Sequence, residues 1–180
     1  MYQQRNPPLP PSEGLPTMYD LPGETVEEPG LPDEFHLIQP ELLRLTFSPP
    51  DYPENLIFVA SDLNLYYDPS HPQWYKRPDW FGVLGVSRLY EERELRLSYV
   101  TWHERINPYV VIELISPGTE QEDLGQTVWE MNQPPTKWIV YEQILRIPYY
   151  FVFNRYTNEL KAFGLMMNRY QALKSEPMGF

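Results

Sequence analysis

Apolar positions recur along the chain in two periods, and the switch between them sets the order of the elements. Over residues 31–47, Phe35, Ile38, Leu42 and Leu45 return at intervals of three and four, the spacing of one helix face. Pro40 lies inside that window. A proline removes a backbone donor and crowds the preceding turn, so the pattern predicts a helix delayed or kinked at its start that strengthens after Gln39. The period then shortens to two. Residues 56–60 read as a short strand, 63–67 alternate like its neighbour, and 80–86 and 95–102 supply a third and a fourth, with turn residues between them. The run 109–115, opened by Asn107-Pro108 and closed by Ser116-Pro117-Gly118, is a fifth. A polar stretch over 119–135 leads to a second helical window at 137–145, where Trp138, Tyr141 and Leu145 recur by three and four. Residues 149–153, a hairpin connection over 154–158, and short strands over 160–163 and 169–173 complete the order. Few helices among many strands, without an internal repeat, predict an α+β (α/β mixed) fold built on a mixed sheet.

One position breaks the pattern. Glu113 sits at the centre of Tyr109-Val110-Val111-Ile112-Glu113-Leu114-Ile115, where an unpaired carboxylate costs several kcal/mol and is neutralised unless a base, a donated hydrogen bond or a cation holds it. Asp79 follows Pro78 at the head of another apolar strand. If the two strands are neighbours, the two carboxylates converge at one sheet end, where they repel unless a divalent ion lies between them. Mg2+ suits such a pair because it takes oxygen ligands and keeps waters, one of which becomes acidic enough to attack a phosphodiester. Lys137, at the start of the second helix, is placed to orient that water or to stabilise charge on the phosphate. Plainer readings stand beside these. Glu113 can pair with Arg105 or Arg146, Asp79 can cap a loop, and Lys137 can be a solvated side chain, slightly unfavourable against the helix dipole.

Composition narrows the choice. Residues 1–32 hold eight of the 21 prolines and few aliphatics, so they read as an extended arm that docks, if at all, through Met18, Tyr19 and Leu21. Residues 33–180 form the single domain. Zero cysteines exclude disulfides and thiolate chemistry, and three scattered histidines leave little for zinc, so any metal is hard and oxygen-bound. No apolar stretch reaches the roughly 18 residues of a membrane span, and the first residues carry no apolar signal region, so a cytoplasmic protein is expected. The net charge of −11 argues against tight nonspecific nucleic-acid binding,. Five acids against Arg5 in the arm account for four of those charges.

Several segments resemble a known family. Arg77-Pro78-Asp79 before an apolar strand, Val111-Ile112-Glu113-Leu114-Ile115-Ser116-Pro117, Glu122-Asp123-Leu124-Gly125, and Lys137-Trp138-Ile139-Val140-Tyr141 before Ile147-Pro148-Tyr149 look like the Uma-type restriction endonucleases, over roughly residues 33–173. That family is grouped with the PD-(D/E)xK nucleases. The resemblance implies a restriction-endonuclease-like sheet, DNA as substrate and Mg2+ (with Mn2+ as substitute) held by Asp79, Glu113 and the backbone carbonyl of Leu114. The lysine that the superfamily usually carries two residues after the acid is replaced by Ile115, and the resemblance moves its role to Lys137. Glu122 and Asp123 read as a solvated turn, although Asp123 resembles the family's aspartate, which would brace the loop around Ser116; the resemblance also draws notice to Glu34 and His36, because the superfamily's first helix can place a glutamate near the metal. A homodimer is expected, since two strands must be cut. The rival reading is a non-catalytic relative, a binding or assembly module in which the same acids stabilise the sheet. Basic residues lining the cleft, from Lys76, Arg77, Arg105 and Lys137, would favour the nuclease.

Overall fold

Asp33 begins the first element by capping it. In the computed structural model, which describes residues 33–116 and 118–174, the Asp33 side chain accepts from the His36 amide and opens α1 (Glu34–Thr46), satisfying a donor that the first turn leaves unpaired. The helix therefore starts before Pro40 and runs through it, with Pro40 buried, rather than gathering strength only after Gln39. The cap, together with the acidic Glu34 in the first turn, offsets part of what an interior proline costs. The expectation for the proline-rich arm concerns residues 1–32, which lie outside the described residues.

Six strands form the main sheet: β1 (Ile57–Ala60), β4 (Trp80–Leu84), β6 (Val110–Leu114), β7 (Tyr149–Asn154), β8 (Glu159–Met166) and β9 (Arg169–Ala172), side by side in that order. Among the described residues of this sheet only β6 and β7 run parallel, and a parallel pair needs a crossover. Residues 115–148 supply it and pack on one face of the sheet. There Val140, Tyr141, Leu145 and Ile147 join Phe81, Val83, Val111, Ile115, Tyr150 and Val152 in the core. On the other face, α1 brings Phe47 edge-on to Trp80 and into the space that a side chain at Gly82 would fill, 2.9 Å from the position of its missing Cβ. The result is the mixed-sheet α+β fold expected.

Three local expectations change. Residues 63–67 pair only over β2 (Leu65–Tyr66), which joins β3 (Tyr75–Lys76) and β5 (Tyr99–Val100) in a separate small sheet. Residues 95–102 are not one strand. Arg96 turns inward, donates to the Ser87 and Arg88 carbonyls and to the Glu104 carboxylate, and lies over the Phe58 ring. Only Tyr99 and Val100 join the ladder, before α2 (Thr101–Glu104). The helix expected over 137–145 is one α-turn, α4 (Lys137–Ile139), continued by a π-turn over Val140–Ile144. The preceding polar stretch contains a short helix, α3 (Glu120–Asp123). The hairpin after β7 closes as expected, with Asn154 opposite Glu159 and its side-chain oxygen accepting from the Tyr156 and Thr157 amides.

Candidate functional site

The antiparallel register of β4 and β6, with Trp80 opposite Ile112, continues to place Asp79 opposite Glu113. Residues directly opposite in a sheet share a face, and the two carboxylates are interlocked through the backbone. Asp79 Oδ2 accepts from the Leu114 amide at 2.6 Å, and Glu113 Oε2 lies 3.4 Å from the Asp79 amide. Ile115 lies in the core on the same strand face, as alternation requires.

Glu113 is completely buried, and among the described residues it is met by donors. Tyr141 donates to Oε1 at 2.8 Å, and the Lys137 ammonium donates to Oε2 at 3.0 Å. The cation on Glu113 is thus Lys137, not Arg105 or Arg146; Arg146 instead bonds Asn168. Lys137 and Tyr141 both reach Glu113 because they stand four positions apart in the helical turns, which puts them on one face, and the π-turn begins between them. Such turns recur at functional sites. Lys137 also donates to Asp123 Oδ1 at 2.7 Å, and its own amide lies 3.2 Å from Glu122 Oε1, which Lys76 also holds at 3.1 Å. Among the cations that sequence places near the cleft, Lys76 and Lys137 are therefore engaged by carboxylates, and Arg77 is exposed 4.0 Å from Asp62.

Burial pushes the Glu113 carboxyl upward, and Asp123 and Asp79 add to that push, against Lys137. The Lys137 ammonium 3.0 Å from Oε2 opposes that push and favours the ionised form. Burial also works against the Lys137 charge, but Glu113 and Asp123 outweigh it and hold this ammonium above the ordinary lysine range. Lys137 therefore keeps its proton and acts as a fixed positive charge. Burial raises Asp79 despite the Leu114 amide, Lys137 and His36. Tyr141, raised by burial and by Glu113, remains a donor.

Asp123 is not the solvated turn residue expected. It is 1% exposed and grips Lys137, while Thr119 is what meets the Ser116 amide. The four-residue spacing of Lys137 and Tyr141 was a visible signal for Tyr141. On α1, it is His36 that reaches β6: Nδ1 meets Asp33 Oδ1 at 2.9 Å, and Nε2 lies 3.3 Å from the Leu114 carbonyl and 3.0 Å from Ser116 Oγ.

The donor set fits a divalent cation. Three carboxylates, Asp79, Glu113 and Asp123, surround one ammonium, and Asp123 Oδ2 is buried without a hydrogen-bond partner among the described residues. This unbalanced negative charge is of the kind that a bound ion neutralises. No three His, Asp or Glu side chains are grouped at metal-holding spacing among the described residues. Among the described residues no helix is long and apolar enough to cross a membrane.

Residues 8–179 match a family model, Uma2, described as "Putative restriction endonuclease". No curated protein matches the chain.

Proposed function

We propose, on the premise that this chain belongs to the Uma2 family and shares its restriction-endonuclease-like fold, that it is a Mg2+-dependent endonuclease that hydrolyses DNA phosphodiester bonds. The observation that carries the reading is the meeting of Asp79 and Glu113 at one sheet end with the Lys137 ammonium 3.0 Å from Glu113. In this reading Asp79, Glu113 and the Leu114 carbonyl hold the ion, and Mn2+ substitutes for it. The ion, when bound, acidifies water and neutralises phosphate charge. Lys137 stays protonated, so its part is to stabilise the negative charge that grows on the phosphate during attack. Asp123 and Glu113 hold that ammonium in place, and Tyr141 fixes the Glu113 carboxylate. The reading includes a cytoplasmic homodimer, which is supported by the exposed Ile38, Leu42 and Leu45 on the outer stripe of α1 and is checked by light scattering of the full chain.

Supercoiled plasmid with Mg2+ or Mn2+ tests it. The parent protein should nick or linearise the plasmid, and chelation should stop it. Glu113→Gln should abolish cleavage. Lys137→Gln keeps donors for both carboxylates but loses the charge, and should slow cleavage by about 100-fold or more. The net charge of −11 and the carboxylates on Lys76 and Lys137 favour the rival, a nuclease-fold binding or assembly module. A purified, folded protein that never cuts DNA with either metal would establish that rival.

A further inference from the structure

The main sheet ends on an open edge. β1 is its first strand, and among the described residues no strand lies beyond it. The Gly85 amide donates to the Leu56 carbonyl. That bond sets the phase of the antiparallel ladder, so Phe58 and Ala60 exchange hydrogen bonds with β4 while Ile57 and Val59 turn theirs outward,. The Ile57 amide is taken by the Glu54 carbonyl. The Val59 amide and carbonyl therefore face a groove of about 670 Å3, lined by β1, by Phe47 and by Leu63 and Leu95, the last 71% exposed. Such an edge is a template for another extended chain, and proteins cover it or blunt it with charge and proline. Three arginines, Arg44, Arg88 and Arg96, line the groove against one acid, Glu54. A second hollow of about 390 Å3 shares Ser61 with it and continues past Asp62 to His36 and Leu37 at the start of α1. Together the two lead from the end of α1 back to Asp33, where residues 1–32 join the fold.

We propose that the chain's own segment Gly23-Glu24-Thr25-Val26-Glu27-Glu28 occupies that groove as an added edge strand, parallel to β1. Direction and reach both fit. β1 runs from the Phe47 end of α1 toward its His36 end, and a chain that passes along the groove to enter α1 at Asp33 runs the same way. Val26 stands seven residues before Asp33, roughly 23 Å of extended chain, against roughly 20 Å for the 13 residues of α1,. The segment has no proline, so each of its amides can pair, and Thr25 and Val26 favour a strand,. Its three glutamates, without a base among them, suit a groove lined by arginines,. Pro22 and Pro29 bound the segment, so the new outer margin is acidic and closed by proline, the composition that resists further pairing. The family match begins at residue 8 and so takes the segment in with the sheet. Neither the metal site nor cleavage enters into this pairing.

The chain has no cysteine, so a nitroxide on Glu24→Cys is a single-site label on the full chain. In 15N spectra it should broaden the Val59 and Leu95 amides and spare β8 and β9, on the far side of the sheet. When the nitroxide is carried only by chains without 15N, mixed with 15N chains that lack it, Val59 should stay sharp. Amide exchange gives the second readout. Successive amides of a strand point to opposite sides, so the Thr25→Pro, Val26→Pro double variant removes the amide that faces β1 whichever of the two it is. Exchange at Val59 should then quicken by about 10-fold or more, with the amides of β6 and β7 unchanged. The label serves as the test should the double variant fail to fold. A nitroxide that leaves Val59 sharp, or a Val59 amide that exchanges as fast in the parent as in the double variant, overturns the pairing. Broadening of Val59 in the mixed sample shows that the groove holds the segment of a second copy, and overturns docking within one chain.

Discussion

Glu113 shows how far one residue could be read without its neighbours. A carboxylate among Val110, Val111, Ile112, Leu114 and Ile115 declares that something must hold it, and the order of motifs pointed to Lys137. Sequence alone did not show that Lys137 is itself held. It sits between a fully buried Glu113 and a nearly buried Asp123, so Lys137→Ala, which looks harmless for an exposed lysine at a helix start, leaves two carboxylates without their cation. That variant should lose about 3 kcal/mol or more of stability, and its activity would report unfolding as much as chemistry. Lys137→Gln removes the same charge but keeps a donor and more of the packing, so it should cost less stability than Lys137→Ala. Tyr141→Phe tests the opposite side of the same carboxylate. The ring stays in the core while Oε1 loses its donor at 2.8 Å, which should cost about 1 to 3 kcal/mol. Chemical denaturation should show that loss with little change in the slope, and an unchanged midpoint would mean that Tyr141 does not hold Glu113. Asp123 and His36 were harder to recognise, because their partners lie 14 and 78 residues away and neither position breaks a local pattern.

Elements were legible where one face decides and illegible where a single polar group does. β4, β6 and β7 are apolar runs long enough to announce themselves. Their adjacency, on which the whole site depends, comes from sheet order and not from any local signal. Residues 95–102 alternate like a strand, yet the requirement of Arg96 for carbonyl and carboxylate acceptors pulls the chain off the ladder. At α1 the Asp33 cap outweighs Pro40. The crossover gives the sharpest element-level test. Gly125 ends the turn after α3 with φ near +69°, and a Cβ there would lie 2.5 Å from the Trp138 ring. The Trp138 indole packs edge-on against Tyr150, Phe163 and Tyr170, and its backbone neighbour is Lys137. Gly125→Ala therefore meets both a left-handed backbone and a ring that is itself packed on three sides. It should destabilise the protein by more than about 1 kcal/mol. The Trp fluorescence spectrum should shift with it, because relief of the clash requires Trp138 to move. A variant as stable as the parent with an unchanged spectrum would place the tightness at Gly125 elsewhere.

At the scale of the molecule, the described residues bury a group of tyrosines around the carboxylates of Glu113, Asp123 and Glu142, and that core responds to base. Burial raises Tyr67 to about 12. It also raises Tyr99, Tyr141, Tyr150 and Tyr170, with Glu113 adding to the shift at Tyr141 and Tyr150 and Glu142 adding to it at Tyr170. In the unfolded chain these phenols ionise near about 10. Between about pH 10 and about pH 12 the unfolded state has released protons that the folded state retains, so stability falls as pH rises. Lys137 has the same sign. Its folded pKa lies above the unfolded value, so its contribution is complete below about 10.5 and is lost above it,. The core should therefore yield to base as a unit. Raising the pH from about 8 to about 12 should lower the urea midpoint steeply above about 10. Phenolate absorbance from these five tyrosines should appear together with the loss of near-ultraviolet circular dichroism, in one transition. If instead their phenolate signal develops fully while the dichroism and the urea midpoint hold steady, the tyrosines around Glu113 are not sealed from water. The low-dielectric site that makes the Lys137 charge effective on a phosphate would then be absent as well.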